Sequence, residues 1–365
     1  MSVSGRDGSA GGTLDHPRAS VVMTAYNDLR FLDEAVDSVL RQDFRDFEFI
    51  VVDDGTGQDA RFDALARRDP RIKIIVNTTN SGTAAAANRG IENARSDVIV
   101  RLDADDVAEP SRLGRLLAAL EEDPQLGLVG SAVTLIDEDG RAQGIQLMPE
   151  ADREIRWTIL FHNPFFHSAV AFRRNCFDRA GGYRIEELIS QDHYLWFDML
   201  PFCRARNLPE PLARYRINPR GLTAADAHGK PRNRTHRIRE TSWARLGLTY
   251  DLYNDDIADD VSRFLRGFDI AVAERRAAAY RHILTALNAF PAAPQPFARR
   301  DDAEVADRLG RSLLARMLAS PPSDLRDMFA LCRACWRLDR GAAIAAALTR
   351  LGHEARRLTT NPSTR

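Results

Sequence analysis

Short apolar runs that end in acids or asparagine alternate with amphipathic stretches through the N-terminal part of the chain. The segments "ASVVMTAYND", "FEFIVVDDG" and "IKIIVN" are rich in β-branched residues and close on polar turn residues, the pattern of buried strands. Between the first two, apolar side chains fall at Phe31, Leu32, Ala35, Val36, Val39 and Leu40, the three-to-four spacing of an amphipathic helix. "ARFDALARRDP" repeats that helical pattern before the third run. Strands alternating with helices predict an α/β fold with a mostly parallel sheet flanked by helices. Ligands of such sheets bind beyond the carboxyl ends of the strands, where Asn27, Asp28, Asp53, Asp54, Asn80 and the acids after Leu102 would collect.

Those last acids raise a chemical question. In "VIVRLDADDVAEP" an apolar strand ends in Asp103, Asp105 and Asp106, whose mutual repulsion calls for water or a cation. Asp103 and Asp105 form a D-x-D pair suited to a hard divalent cation that prefers oxygen ligands and can bridge to a diphosphate. The competing reading is helix capping, with Asp106 or Ser111 starting "RLGRLLAALEED". The pair alone does not choose between them.

A collinear series of motifs does bear on the choice. "ASVVMTAYND" is followed by "VVDDGTGQD", "NSGTAAAANRGI", "RLDADD", "AGGYR", "QDHYLW" and "YRINPRGLT". This ordered set, spanning residues 18 to 224, resembles the family 2 glycosyltransferases of the GT-A fold. The resemblance implies a Rossmann-like sheet domain over 18–225 that binds a nucleotide sugar, with a UDP-sugar as the expected donor. It places Thr24, Ala25, Tyr26, Asn27, Asp53, Asp54, Asn80, Gly82, Asn88, Asp103, Ala104 and Asp105 at the donor. Asp105 would coordinate Mn²⁺ or Mg²⁺, with Asp103 on the ribose or in the metal shell and His167 as a further candidate ligand. Asp192 would take the proton of an acceptor hydroxyl, so that the anomeric centre inverts. Gly182, Tyr183, Gln191 and Trp196 fall in the acceptor region. The implied acceptor is a glycan, a lipid-linked sugar or another glycoconjugate of a bacterial cell-surface polysaccharide.

Two positions depart from the family pattern. Ala87 precedes Asn88 where an arginine is frequent, leaving Arg89 or Arg101 to meet the diphosphate, and Gln191 precedes Asp192 where a glutamate is frequent. Plainer roles also fit several residues. Asp53 and Asp54 can form the turn ahead of Gly55, Gly181 and Gly182 can supply positive φ, His167 can be a satisfied structural histidine, and "YLWFDML" reads as a buried helix that takes Trp196 into the core.

Composition sets the outer bounds. The 365 residues, 44% of them hydrophobic, suffice for about two domains. Lys+Arg 51 against Asp+Glu 52 gives no global field toward nucleic acid. Residues 1–17 read as a flexible Gly/Ser leader, and the absence of a long apolar run predicts a cytoplasmic protein. Cys332 and Cys335 lack the second pair a tetrahedral zinc site needs. Residues 226–365 read as a helical domain that packs on the catalytic one, shaping the acceptor site or a homodimer. At its start Lys230, Arg232, Arg234, Arg237 and Arg239 form a basic cluster, either a solvated helix start or a peripheral contact with an anionic membrane. Two other functions compete with sugar transfer. A nucleotidyltransferase would open on a Gly-rich phosphate loop with a Lys or Arg, a loop absent from "TAYNDLRFLDEA", and the presence of Asp103, Asp105 and Asp192 argues against a non-catalytic sugar-nucleotide-binding or scaffold protein.

Overall fold

The computed structural model describes residues 16–160, 162–187 and 190–220, together with Ala279 and Ile283. The leader up to residue 15, the basic cluster at 230–239, Cys332, Cys335 and nearly all of the proposed helical domain 226–365 lie outside the described residues. Among those described, no helix is long and apolar enough to cross a membrane.

The predicted alternation is present. Strand β1 (Ala19–Ala25), helix α1 (Leu32–Leu40), β2 (Phe47–Asp54), α2 (Asp59–Ala66), β3 (Ile72–Asn77), α3 (Thr83–Glu92) and β4 (Val98–Arg101) follow in order. The chain continues through β5 (Val107–Ala108), α4 (Arg112–Glu122), β6 (Leu126–Ile136), β7 (Ala142–Gln146) and α5 (Asp152–Thr158). A 3-10 turn at His167–Ala169, β8 (Ala171–Arg173), α6 (Arg174–Ala180), α7 (Gln191–Met199) and β9 (Arg204–Arg216) complete it. Ser111 occupies the position before α4 without a side-chain cap, so capping does not explain its sequence start.

The strands run β3-β2-β1-β4-β8-β6-β9-β5, with β7 paired to β6. The first four are parallel, and β8 then pairs antiparallel with β4 and with β6. From β1 the chain builds outward to β2 and β3, then returns to place β4 on the other side of β1. The crevice at the carboxyl ends of β1 and β4 is therefore the topological switch point, where open α/β sheets bind their ligands.

Burial follows from the sequence. Every residue of β2 and all but Thr24 of β1 are buried, because helices cover both faces of the parallel half. Helix α1 turns Leu32, Ala35, Val36 and Val39 inward. The Ala-rich α3 lies close on the sheet: a Cβ at Gly90 would come within 2.6 Å of Val22 Cγ1 and 3.1 Å of Val52 Cγ2. Small residues along α3 permit that approach. One charge is built into this core: Glu48, 3% exposed, accepts from Ser20 Oγ at 2.6 Å and from Arg95 N and Nε at 2.6 and 2.8 Å.

Two compact units divide the chain. The first contains Met1–Met148, Phe165–Met199 and Asn207–Ala225, and all the candidate site residues fall in it. The second takes Pro149–Pro164 and Leu200–Arg206 with Asp226–Arg365, so segments inside the expected 18–225 domain group with the C-terminal part. In the described portion of that second unit, Arg156 donates to Asp152 Oδ2 at 2.7 Å and to the carbonyls of Leu200 and Cys203, both at 2.8 Å.

Candidate active site

Strand β4 ends at Arg101, and the chain turns at once: Asp106 N–H donates to the Asp103 carbonyl at 3.3 Å, closing the turn that holds the D-A-D-D sequence. The three acids do not share one fate. Asp106 points inward, 1% exposed, and accepts from Arg216 N–H at 2.7 Å through one oxygen, while its Oδ2 has no partner. Burial, reinforced by Asp105 and Asp103, pushes the Asp106 carboxyl well up. It is a structural acid and not a cap of α4. Asp105 is half-buried and accepts from Asn218 Nδ2 at 3.1 Å; burial raises its carboxyl against that hydrogen bond.

Asp103 is treated oppositely. Burial alone would raise it, but the neighbouring His167 and Arg101 outweigh that and hold the carboxyl well below the usual carboxylate range. Its Oδ1 lies 3.2 Å from Arg101 Nη2 and 3.3 Å from His167 Nδ1, and its backbone N–H donates to Ser168 Oγ at 3.0 Å. Arg101 is completely buried and also bonds the Val22 carbonyl of β1, so it is a fixed counter-charge beneath the turn. A second buried guanidinium, Arg112, donates to the Arg101 carbonyl, while its Nε and Nη1 have no partner. Burial lowers its pKa to about 10, against the pull of Asp106 and Asp103.

The other donor-side residues separate into exposed and structural ones. Ala25 ends β1 buried and Thr24 is partly buried, whereas Tyr26 is 52% exposed and Asn27 turns the chain with φ of 59°. At the end of β2, Asp53 and Asp54 are both buried. Asp54 accepts from Asn77 Nδ2 (2.7 Å), Ser81 N (2.9 Å), Ser81 Oγ (2.7 Å) and Gly82 N (3.0 Å). With its oxygens committed in this way, Asp54 organises the loop into α3. Asp53 accepts from Thr56 N–H at 2.9 Å, and its Oδ2 is buried without a partner. Asn80 is exposed. Asn88 spends its amide on Tyr183, donating to the carbonyl at 2.8 Å and accepting from the N–H at 3.0 Å. Of the arginines that could replace the family's residue near Asn88, Arg101 is committed beneath the acidic turn, and Arg89 bonds the Val76 carbonyl and Asn77 Oδ1.

On the acceptor side, Gly181 and Gly182 both have positive φ, 86° and 75°. A Cβ on Gly182 would stand 3.2 Å from Asn88 Oδ1, so this glycine lets Tyr183 reach Asn88. Asp192 lies in the first turn of α7, its Oδ1 accepting from His193 N–H at 2.8 Å, and Gln191 beside it is buried. Burial raises the Tyr183 hydroxyl, and the charges of Asp192 and Asp103 add to that rise. Trp196 corrects one expectation. It is 0% exposed and packs on Phe165, Phe172 and His167 with ring centroids 5.9, 5.9 and 6.2 Å away, so it supports the site from the core and offers no face to an acceptor.

His167 departs from its expected part as a metal ligand. Its Nδ1 meets Asp103, and its Nε2 meets the Tyr183 hydroxyl at 2.8 Å and Arg101 Nε at 3.3 Å, so both ring nitrogens are engaged. Among the described residues no three His, Cys, Asp or Glu side chains are grouped to hold a metal ion. What the turn offers is two carboxylates, Asp103 and Asp105. That donor set fits a hard cation that keeps waters and completes its shell with phosphate oxygens, and does not fit a closed structural metal.

Arg216 and Asn218 were not singled out from the sequence. Arg216 is 3% exposed and bonds Asp106 Oδ1 through its N–H, the Asp105 carbonyl through Nε (2.8 Å) and Glu34 through Nη2 (2.6 Å). Its guanidinium also sits 4.1 Å from the Phe31 ring centroid. Asn218 joins Asp105 to Arg30, which in turn holds Asp28. The only signal for either was their place in "YRINPRG", the run that follows the last strand.

Fold and site together define an α/β protein with an acidic turn at the switch point of a GT-A-type sheet. Comparison with known proteins agrees. The sequence model described as Glycosyl transferase family 2 matches residues 20–185. The O-antigen biosynthesis glycosyltransferase WbnJ of Escherichia coli is 30% identical over 209 residues, 54% of this chain and 79% of that protein. The amylovoran biosynthesis glycosyltransferase AmsE of Erwinia amylovora is 29% identical over 254 residues, covering 68% and 89%. In fold, the chain is similar to S. aureus TarS 1–349 solved in complex with UDP-GlcNAc, with a TM-score of 0.52, 16% identity and 92% of each chain covered. The chain belongs to the family 2 glycosyltransferases.

Proposed function

We propose that this glycosyltransferase moves a hexosyl unit, with inversion, from a nucleotide sugar to a hydroxyl of a bacterial cell-surface polysaccharide or its lipid-linked precursor. Asp105 and Asp103 are the residues that would hold Mn²⁺ or Mg²⁺, and such an ion would supply positive charge where negative charge develops on the leaving nucleotide. Thr24, Tyr26, Asn27, Asp53, Asn80, Gly82 and Ala104 border the nucleotide, Asp54 and Asn88 hold that border in shape, and Asp192 accepts the acceptor's proton. Tyr183, Gly182 and Gln191 shape the acceptor side.

The observation that carries the reading is the acidic turn at the carboxyl end of β4. Asp103 is kept ionised by Arg101 and His167, while Asp106 is withdrawn into the core, leaving two carboxylates at the switch point. The buried, unpartnered Oδ2 of Asp53 supports a donor-side ligand, since buried polar atoms are rarely left without a partner. The biosynthetic roles in the names of WbnJ and AmsE support a polysaccharide product, and the UDP-GlcNAc in the TarS structure makes UDP the first nucleotide to try.

The test is calorimetric binding of UDP, GDP, dTDP and CDP with and without Mn²⁺, repeated on Asp105→Ala. Metal-dependent binding of one nucleotide, lost in the variant, supports the reading; binding of none refutes it. Asp192→Asn should keep the nucleotide affinity and lose transfer, and a variant that turns over like wild type removes Asp192 from the role of base.

A further inference from the structure

The Arg101, Asp103, His167 and Tyr183 side chains form one chain of contacts, and the transfer reaction as described above gives no role to its link from Asp103 to Tyr183. Tyr183 is 2% exposed, yet its hydroxyl lies 2.8 Å from His167 Nε2. Arg101 Nε donates to the same Nε2 at 3.3 Å, which makes Nε2 the acceptor and leaves the imidazole proton on Nδ1, the nitrogen that faces Asp103 Oδ1 at 3.3 Å. Each contact then sets a group that can donate against one that can accept. The ring is gripped on both sides as well, edge-on to Tyr183 at 5.7 Å between centroids and tilted to the buried Trp196 at 6.2 Å.

We propose that His167 is a positioning residue that ties the Asp103 carboxylate to the Tyr183 hydroxyl, making the acidic turn after β4 and the segment leading to Asp192 one unit. The inference deepens the reading of the site given above and rests on it for its catalytic meaning. Its far end is fixed independently: Tyr183 is clamped to Asn88 of α3 by two backbone hydrogen bonds. Its near end is fixed by Arg101 and by Ser168, which receives the Asp103 N–H from the same 3-10 turn that carries His167. A residue whose ring nitrogens are both spent on protein partners orients a ligating carboxylate from behind it, as outer-shell partners of metal ligands do.

Two measurements on the full chain test this. In the first, Mn²⁺-dependent binding of UDP, GDP, dTDP and CDP is compared in wild type, His167→Ala, Tyr183→Phe and the double variant, with melting temperatures alongside. Positioning predicts a loss of roughly 10–100-fold in His167→Ala. Tyr183→Phe should lose affinity in the same direction, and the double variant should be no weaker than His167→Ala, because both break one chain. His167→Gln, which can still bridge, should recover part of the loss. If Tyr183→Phe binds as wild type does while His167→Ala loses binding as completely as Asp105→Ala, His167 is a ligand and the proposal fails. It fails equally if the variants change only the melting temperature. In the second, hydrogen exchange of the metal-free protein is followed in Tyr183→Phe. Faster exchange at residues 102–106, with unchanged exchange at β2, supports the link; faster exchange confined to residues around 183 overturns it. Should wild type bind none of the four nucleotides, the donor reading falls, and the exchange result alone decides the link.

Discussion

Asn88 and Tyr183 meet across 95 positions of sequence through two hydrogen bonds, the Asn88 amide donating to the Tyr183 carbonyl at 2.8 Å and accepting from its N–H at 3.0 Å. A side-chain amide can serve both backbone groups of one residue only when the chain comes very near, and the positive φ of Gly182 arranges that approach. Asn88→Ala leaves both groups of a buried residue unpaired and should cost about 1–3 kcal/mol, read by chemical denaturation. Gly182→Ala should cost at least as much, since its new methyl would stand 3.2 Å from Asn88 Oδ1 at a φ of 75°. Stability within a few tenths of wild type in both would refute the clamp.

Gly55 is the tightest turn of the donor side. Its φ is 80°, and a Cβ there would come 2.5 Å from the Thr79 carbonyl carbon and 2.6 Å from Asn80 N. Backbone cannot yield as a side-chain tip can. Gly55→Ala therefore combines a left-handed penalty of about 1–2 kcal/mol with the displacement of residues 79–80. We expect a lower melting temperature together with weaker nucleotide binding, because Asn80 moves with its neighbour. A variant that is destabilised but binds nucleotide normally would show that Asn80 takes no part at the donor.

The sheet half of this fold was legible because its signal is local. β-branched runs and a three-to-four helical repeat name their own element, and the ends of β2 and β3 fall where "VVDDG" and "IIVN" turn polar. The same pattern could not say which acid serves which purpose. Asp54 and Asp106 look like ligand residues in sequence, yet Asp54 spends both oxygens on Ser81 and Gly82 and Asp106 turns one inward to Arg216, partners 27, 28 and 110 positions away. Trp196 and His167 each fit two roles in sequence for the same reason: burial and double engagement of a ring depend on β8, α6 and the 181–183 turn packing together. Arg112 gave no sign at all, since an arginine opening a helix is ordinarily solvated.

Glu48 makes stability depend on pH at a distance from the acidic turn. Burial would raise its carboxyl, but Ser20 and Arg95 outweigh burial and hold it below the ordinary value of 4.5. A folded-state value below the unfolded one contributes stability that is present above the unfolded pKa and is lost as pH falls below it. Glu48→Gln should therefore be less stable than wild type near neutrality, and its stability should fall less steeply between about pH 5 and pH 3. Parallel denaturation curves for the two proteins across that range would show that the Glu48 contacts favour neither protonation state.

Arg112 tests how the acids are balanced when no cation is present. Its guanidinium is 0% exposed, contacts the Arg101 carbonyl, and is held toward its charged form by Asp106 and Asp103. Replacing one partner of a buried charge cluster leaves the others uncompensated, so Arg112→Met should cost about 3–5 kcal/mol in metal-free buffer. A divalent ion bound at Asp105 and Asp103 would return positive charge to the same place. Binding to the folded state alone stabilises by mass action, and the gain grows as affinity rises. Millimolar Mn²⁺ should thus raise the melting temperature of Arg112→Met more than that of wild type, while Arg112→Met combined with Asp105→Ala should gain nothing. Equal shifts in wild type and Arg112→Met would mean that the buried arginine and the cation do not sense each other. A gain that survives Asp105→Ala would place the cation away from the acidic turn.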